Sequence, residues 1–226
     1  MLNLVFVIIL SYLVGSIPTS IIISRLVKGI DIRNYGSKNA GGTNVFRVLG
    51  WKWGLLTIIL DAFKGAVAVI IIARMYLDNI PFNNVTPFDD FTLIQIFCGV
   101  AAVVGHIWTV FAGFKGGKGI ATALGFLITI ITVDMLLALG IFLIVVYLSR
   151  YVSLGSLTAA VSVPIILIVR ENIFGVHIAG YNTILPFIIA LSLLVIYTHR
   201  KNIDRLIKGS EHQISFSKSD KSKTNN

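Results

Sequence analysis

Apolar runs almost free of charge follow one another along nearly the whole chain, and no other feature constrains it as much. A membrane-spanning helix needs about 20 apolar residues. Candidate spans are 3–24, 53–77, 93–113, 120–133, 135–149, 152–170 and 183–198. Charged residues make up 13% of the chain, where soluble domains have about one quarter, and hydrophobic residues make up 56%. A water-soluble fold of 226 residues cannot bury that much apolar surface. A single cysteine, Cys98, excludes a disulfide scaffold. The first run has no basic segment ahead of it and no small-x-small cleavage site before Pro18, so it reads as a retained helix and not as a signal peptide.

The formal charge of +9 would suggest nucleic acid in a soluble protein. In a membrane chain it is read by side instead, and no nucleic-acid partner is expected. Loop 25–52 carries Arg25, Lys28, Arg33, Lys38, Arg47 and Lys52. The tail carries Arg200, Lys201, Arg205, Lys208, Lys218, Lys221 and Lys223. Both segments are expected in the cytoplasm, whereas 78–92, with Asp78, Asp89 and Asp90 and no Lys or Arg, is expected outside. Two cytoplasmic segments are separated by an even number of crossings. That parity holds only if 120–149 is split into two short helices at Thr132-Val133-Asp134. The expectation is an all-α integral membrane protein. It is a bundle of seven transmembrane helices, two of them short, with the N-terminus outside and the C-terminus cytoplasmic. Residues 1–208 form a single polytopic domain, and 209–226 are a polar, disordered tail.

This topology places the polar, glycine-bearing segments on one membrane face. In Gly36-Ser-Lys-Asn-Ala-Gly-Gly-Thr-Asn-Val-Phe-Arg47, glycines permit close approach of a ligand, Ser37, Asn39, Thr43 and Asn44 supply short donors, and Lys38 and Arg47 supply charge. In Phe114-Lys-Gly-Gly-Lys-Gly-Ile-Ala-Thr122, Gly116, Gly117, Lys118 and Gly119 stand directly before a helix start, an arrangement suited to an anion. Each segment also reads as an ordinary basic loop that obeys the positive-inside bias. Gly119 follows Lys118 where a Walker loop requires Ser or Thr, so nucleoside triphosphate is not indicated.

Ser153 and Ser156 near a helix start read equally as N-caps. His106 is a candidate positioning residue. His199 and Asn202 share a helix face, with Arg205 near it. Asp61 and Lys64, three residues apart inside a span, are either a structural ion pair or an active-site acid and base. Neither a thiolate constellation, a His/Cys metal spacing nor a Gly-x-Ser-x-Gly elbow is present, so no metal or other cofactor is implied. The chemistry of the segments leaves open a lipid transferase, a phosphatase, or a membrane transporter of a phosphorylated solute, which a liposome flux assay would distinguish from product formation.

These motifs, in this order, together with Gly105-His106, Ser149-Arg-Tyr-Val-Ser-Leu-Gly-Ser156 and His199-Arg-Lys-Asn-Ile-Asp-Arg-Leu206, resemble the bacterial acyl-phosphate-dependent glycerol-3-phosphate acyltransferases. The resemblance runs from residue 12 to about 211. Trp108-Thr109 stands where the family tends to have Phe-Pro, which weakens the case for a helix break at 109. Asp204 stands where a basic residue is common, which questions a charge contact in the tail.

The resemblance implies transfer of a fatty acyl group from acyl-phosphate to the sn-1 hydroxyl of glycerol 3-phosphate, at the cytoplasmic face of the bacterial inner membrane. It assigns Ser37, Asn39, Thr43, Asn44 and Arg47 to one cradle and Gly116, Gly117, Lys118 and Gly119 to a second. Ser153, His199 and Asn202 help to hold glycerol 3-phosphate, with the general base either His199 or a phosphate oxygen of the donor. Lys118, Arg47, His199 and Ser37 are the catalytic candidates. Implied partners are the two substrates, membrane lipid and a soluble enzyme that makes acyl-phosphate.

Overall fold

The computed structural model describes residues 2–79, 86–211 and 213. Position 212, residues 80–85 of the expected external loop and the tail beyond 213 lie outside these, so the expectation of a disordered 209–226 concerns residues that are mostly not described.

The regular secondary structure among the described residues is all helical, with no strand. The α-helices are α1 (Leu2–Gly15), α2 (Thr19–Lys28), α3 (Gly42–Leu49), α4 (Trp51–Val67), α5 (Asp90–Ile107), α6 (Ile120–Ile130), α7 (Thr132–Ser149), α8 (Val152–Asn172), α9 (Tyr181–Thr198) and α10 (Arg200–Ile207). Among the described residues six helical stretches are long and apolar enough to cross a membrane: Asn3–Lys28, Trp51–Tyr76, Asp90–Ala112, Thr132–Ser149, Val152–Asn172 and Tyr181–Thr198. Large apolar side chains such as Phe6, Ile9, Ile144, Leu148 and Leu193 lie more than half exposed on them, as lipid-facing surfaces require.

The expected split of 120–149 is present. α6 stops at Ile130, Ile131 leaves helical geometry, and α7 begins at Thr132. The two halves are unequal. α7 has 18 residues, whereas α6 has 11 and is about 16 Å long, half the thickness of a bilayer core.

The chain forms two compact units, Met1–Met135 and Leu136–Asn226. In the first, Val7, Ala68, Ile72, Tyr76, Ile94, Cys98 and Ala102 form the main core. Glycines bring its helices close together. A Cβ on Gly15 would strike the Ala102 backbone, and a Cβ on Gly125 the Ala62 backbone. A smaller core of Ile21, Ile23, Ile32, Ala40 and Val45 lies under the first polar loop.

Two helix breaks in this unit carry consequences for the site. α1 ends at Gly15, and the chain turns through Ser16-Ile17-Pro18 before α2. α5 ends at Ile107 and gives way to a 3₁₀ turn at Val110–Ala112. Proline at 109 is therefore not required for the break: the Thr109 hydroxyl, buried, donates to Ser16 O across the two breaks. Lys64 Nζ donates to Ile17 O at 3.0 Å, and Tyr12 Oη to Trp108 O at 2.7 Å. Carbonyls freed where helices stop inside a membrane protein need such donors.

In the second unit α8 packs on α9, and Ser192 Oγ donates to Ala160 O at 2.7 Å. Gly155 lets α8 approach Phe142 and Val146 of α7.

Candidate active site

The first polar segment is half loop and half helix, since Gly42–Leu49 is helical. Asn44 organises it. Its side chain, 2% exposed, accepts from Ser37 N at 2.8 Å and donates to Tyr35 O at 2.9 Å and Asn39 O at 3.0 Å. Every hydrogen bond found for Asn44 goes to the loop backbone, so it shapes the loop and does not reach outward. Gly36 and Lys38 adopt left-handed geometry (φ 58° each), and a Cβ on Gly36 would strike Asn44 Oδ1. Thr43 and Arg47, four residues apart on α3, share an exposed face. Ser37 and Lys38 are exposed, and Asn39 is half-buried.

The second segment folds back on the end of α5. Gly116 N donates to Ile107 O at 3.0 Å and Gly117 N to His106 O at 3.1 Å. Two glycine N–H groups expected to face an anion are thus spent on the fold. The donors without an intrahelical acceptor are those at the start of α6, beyond Gly119. Gly119 is left-handed (φ 76°), Gly117 and Gly119 are buried, and Lys118 between them is exposed.

The structure brings the two segments together. The Arg33 guanidinium forms a fork with Asp31, at 2.7 Å for the shortest contact, and its Nη1 donates to Ala112 O at 2.8 Å. The hydrogen bond from Arg33 holds the Asp31 carboxyl down to about 2. A Cβ on Gly117 would stand 2.7 Å from Ala40 O, so the loop half of the first segment touches the second. A small cleft at this meeting point is lined by Pro18, Thr19, Ala40, His106, Thr109 and Gly117, among others. Beneath it lies Asp61, 1% exposed, which accepts from the Thr19 hydroxyl and pairs with Lys64 at 2.9 Å.

The remaining expected residues lie in the second unit. Ser153 Oγ and Asn202 Nδ2 both donate to Glu211 Oε1, at 2.9 and 2.8 Å, and Arg205 Nε donates to Oε2 at 2.6 Å. Burial pushes the Glu211 carboxyl up, but the donors outweigh it and hold it at about 2. The sequence reading gave Glu211 no role, and its only signal was an acid just past a helix bearing Asn202 and Arg205. His199 caps α9 with Nδ1 at 2.9 Å from Val195 O. A carbonyl only accepts, so Nδ1 carries a proton, and in the neutral ring Nε2 is the acceptor. Asp204 pairs with Lys208 one helical turn on, at 2.9 Å.

The Glu211 network carries a pH signature. A carboxyl held below its ordinary value of 4.5 adds stability above that value and loses it as pH falls toward 2. Between pH 5 and 3 the melting temperature of the detergent-solubilised protein should therefore fall more steeply for wild type than for Glu211→Gln. Parallel curves would contradict this.

Fold and loops define the class: a multi-pass, all-α membrane protein whose two cation-bearing loops meet at the ends of its helices. Residues 5–209 match the family model described as Glycerol-3-phosphate acyltransferase. The glycerol-3-phosphate acyltransferase of Chlorobium phaeobacteroides (strain BS1) is 46% identical over 96% of this chain and 98% of its own length. That of Chlorobaculum tepidum is 45% identical over 96% and 98%. The crystal structure of PlsY (YgiH), an integral membrane glycerol 3-phosphate acyltransferase, in its glycerol 3-phosphate form, superposes with a TM-score of 0.70. It shares 39% identity over 94% of this chain and 96% of that one. Its lysphosphatidic acid form gives 0.70 and 38%, over 94% and 95%. The chain belongs to the glycerol-3-phosphate acyltransferase family, of the PlsY type.

Proposed function

We propose that the protein transfers a fatty acyl group from acyl-phosphate to the sn-1 hydroxyl of glycerol 3-phosphate. The products are 1-acyl-glycerol 3-phosphate (lysophosphatidic acid) and phosphate, in the first acylation step of phospholipid biosynthesis. The observation that carries the reading is the junction of the two polar segments at Ala40 and Gly117, clasped by Arg33, with exposed Arg47 on one and exposed Lys118 on the other. The solved relative's glycerol 3-phosphate and lysphosphatidic acid forms support the acceptor and the product class.

An acyl-phosphate is a mixed anhydride, already activated, so no protein nucleophile is required. The hydroxyl oxygen attacks the acyl carbon, the bond from that carbon to the phosphate oxygen breaks, and phosphate departs with the electron pair. Lys118 and Arg47 stabilise phosphate charge, and Ser37, Asn39 and Thr43 bind oxygens beside them. Asn44, Gly116, Gly117 and Gly119 hold the loops in shape. Ser153 and Asn202 contribute to glycerol 3-phosphate binding. Two acceptors are available for the hydroxyl proton, a phosphate oxygen of the donor and His199 Nε2.

The basic loop 25–52 and the basic tail support a cytoplasmic location for the polar segments, an external N-terminus and a seventh, short crossing at Ile120–Ile130 in the bacterial inner membrane. Residues 1–208 then work as one polytopic acyltransferase domain, supplied by the soluble enzyme that makes acyl-phosphate.

Purified protein given acyl-phosphate and glycerol 3-phosphate, with neither CoA nor carrier protein, should form lysophosphatidic acid. Substituting acyl-CoA should reduce turnover severely, since no Walker-type or other nucleotide-binding motif is present in the chain. Equal turnover with acyl-CoA refutes the donor assignment.

A further inference from the structure

Asp61 and its neighbours form a buried polar cluster that the reaction above does not use. Thr19, Asp61, Lys64 and His106 come from α2, α4 and α5, and each is at most 9% exposed. Lys64 neutralises Asp61 at 2.9 Å and satisfies Ile17 O. Charge balance inside the membrane is complete with that pair, so it does not call for the histidine.

His106 nevertheless turns Nδ1 toward Asp61 Oδ1, at 3.4 Å. The opposite edge of the ring meets the second loop: a Cβ on Gly117 would run into His106 Nε2. The main chain of His106 holds the same residue, since its carbonyl accepts from Gly117 N at 3.1 Å. Gly117 is therefore gripped by side chain and backbone of one residue, next to Ala40 of the first loop and one position before Lys118.

We propose that Asp61 and His106 act as a positioning pair: the carboxylate fixes the imidazole, and the imidazole fixes the Gly116–Gly119 loop and with it Lys118. This rests on the reading of that loop as a phosphate site. A displacement of about 1 Å in a group that orients a substrate costs up to about 10²-fold in rate.

The test compares two amides in the full-length protein. Asparagine at 106 retains a donor near the Nδ1 position, facing Asp61, but is too short to reach Gly117. Glutamine extends to the Nε2 position and keeps the loop contact. If His106 positions the loop, His106→Asn lowers kcat/KM, with a raised KM for at least one phosphate substrate, by about 10- to 10²-fold. His106→Gln is then the milder of the two, and both melt close to wild type. If His106 serves only to satisfy Asp61, the order reverses, and folded His106→Asn keeps wild-type constants. Either result overturns the proposal. Should neither variant fold, Gly117→Ala presses from the loop side on the ring and on Ala40 O, and wild-type constants in folded Gly117→Ala protein overturn the proposal. A wild-type protein that makes no lysophosphatidic acid would defeat the functional reading instead, a separate outcome visible before any variant is made.

Discussion

Lys118→Ala lowers turnover about 10²–10³-fold while the protein still inserts and melts normally, the range for loss of one transition-state donor. Lys118 is exposed between buried Gly117 and Gly119, so the loop holds its backbone while its ammonium faces outward. The N–H groups of Gly116 and Gly117 are bound to Ile107 O and His106 O, so neither is spare for a phosphate and the Lys118 ammonium carries that contact. A charge-assisted hydrogen bond contributes roughly 1.5–3 kcal/mol. Lys115 is the internal control. Its backbone carbonyl meets Arg33 at 3.4 Å, and alanine preserves that contact, so Lys115→Ala has a mild effect. Lys118→Arg also fails, because a planar fork does not replace a compact ammonium among glycines. Similar, mild losses from both alanine variants would mean that the lysines only set membrane orientation. The measurement is product formation per folded protein.

The second large effect is on stability. Gly125→Ala forces α4 and α6 apart, because the new Cβ would strike Ala62 main-chain atoms, which cannot rotate away as a side chain can. Gly65 faces Thr122 O in the same crossing. Overpacking costs about 1–3 kcal/mol, and more where backbone must move. Gly140→Ala in α7 meets nothing within 4 Å and should be neutral or slightly stabilising. Thermal unfolding in detergent compares the two. Equal melting temperatures would show that α4 and α6 do not depend on this close approach.

The helices were legible because a lipid-facing helix must be apolar over its length, which is a property of composition alone. The split after α6 was legible for a different reason: two basic segments on one side require an even number of crossings between them, and Thr132-Val133-Asp134 marks where the long run divides. The break at Ser16–Pro18 was not, although Pro18 was in plain view. What makes it tolerable is a donor 47 positions away, Lys64 to Ile17 O, and no local pattern carries that information. In the site, residue types were readable and their commitments were not. Asn44 has donors that suit a substrate, but it spends them on Tyr35 O and Asn39 O. Gly65 and Gly125 look like any flexible glycine until the partner helix is seen. Glu211 acquires meaning only when Ser153, Asn202 and Arg205 converge on it. The cluster at Asp61 stood as either a structural pair or an acid and base, and spacing cannot choose between them.

The clasp of Arg33 on Ala112 O, and the backbone bonds from Gly116 and Gly117, have a thermodynamic consequence. All of them join protein atoms to protein atoms, so the shape of both loops is specified in advance of any encounter with substrate. Ordering a mobile loop costs roughly 1–2 kcal/mol per residue of backbone entropy. A loop already ordered spares the substrate that cost, and its fixed dipoles need not reorganise as charge develops on the departing group. For the two anionic substrates of the proposed reaction, which repel each other, such rigidity converts binding energy into approach of the reacting atoms.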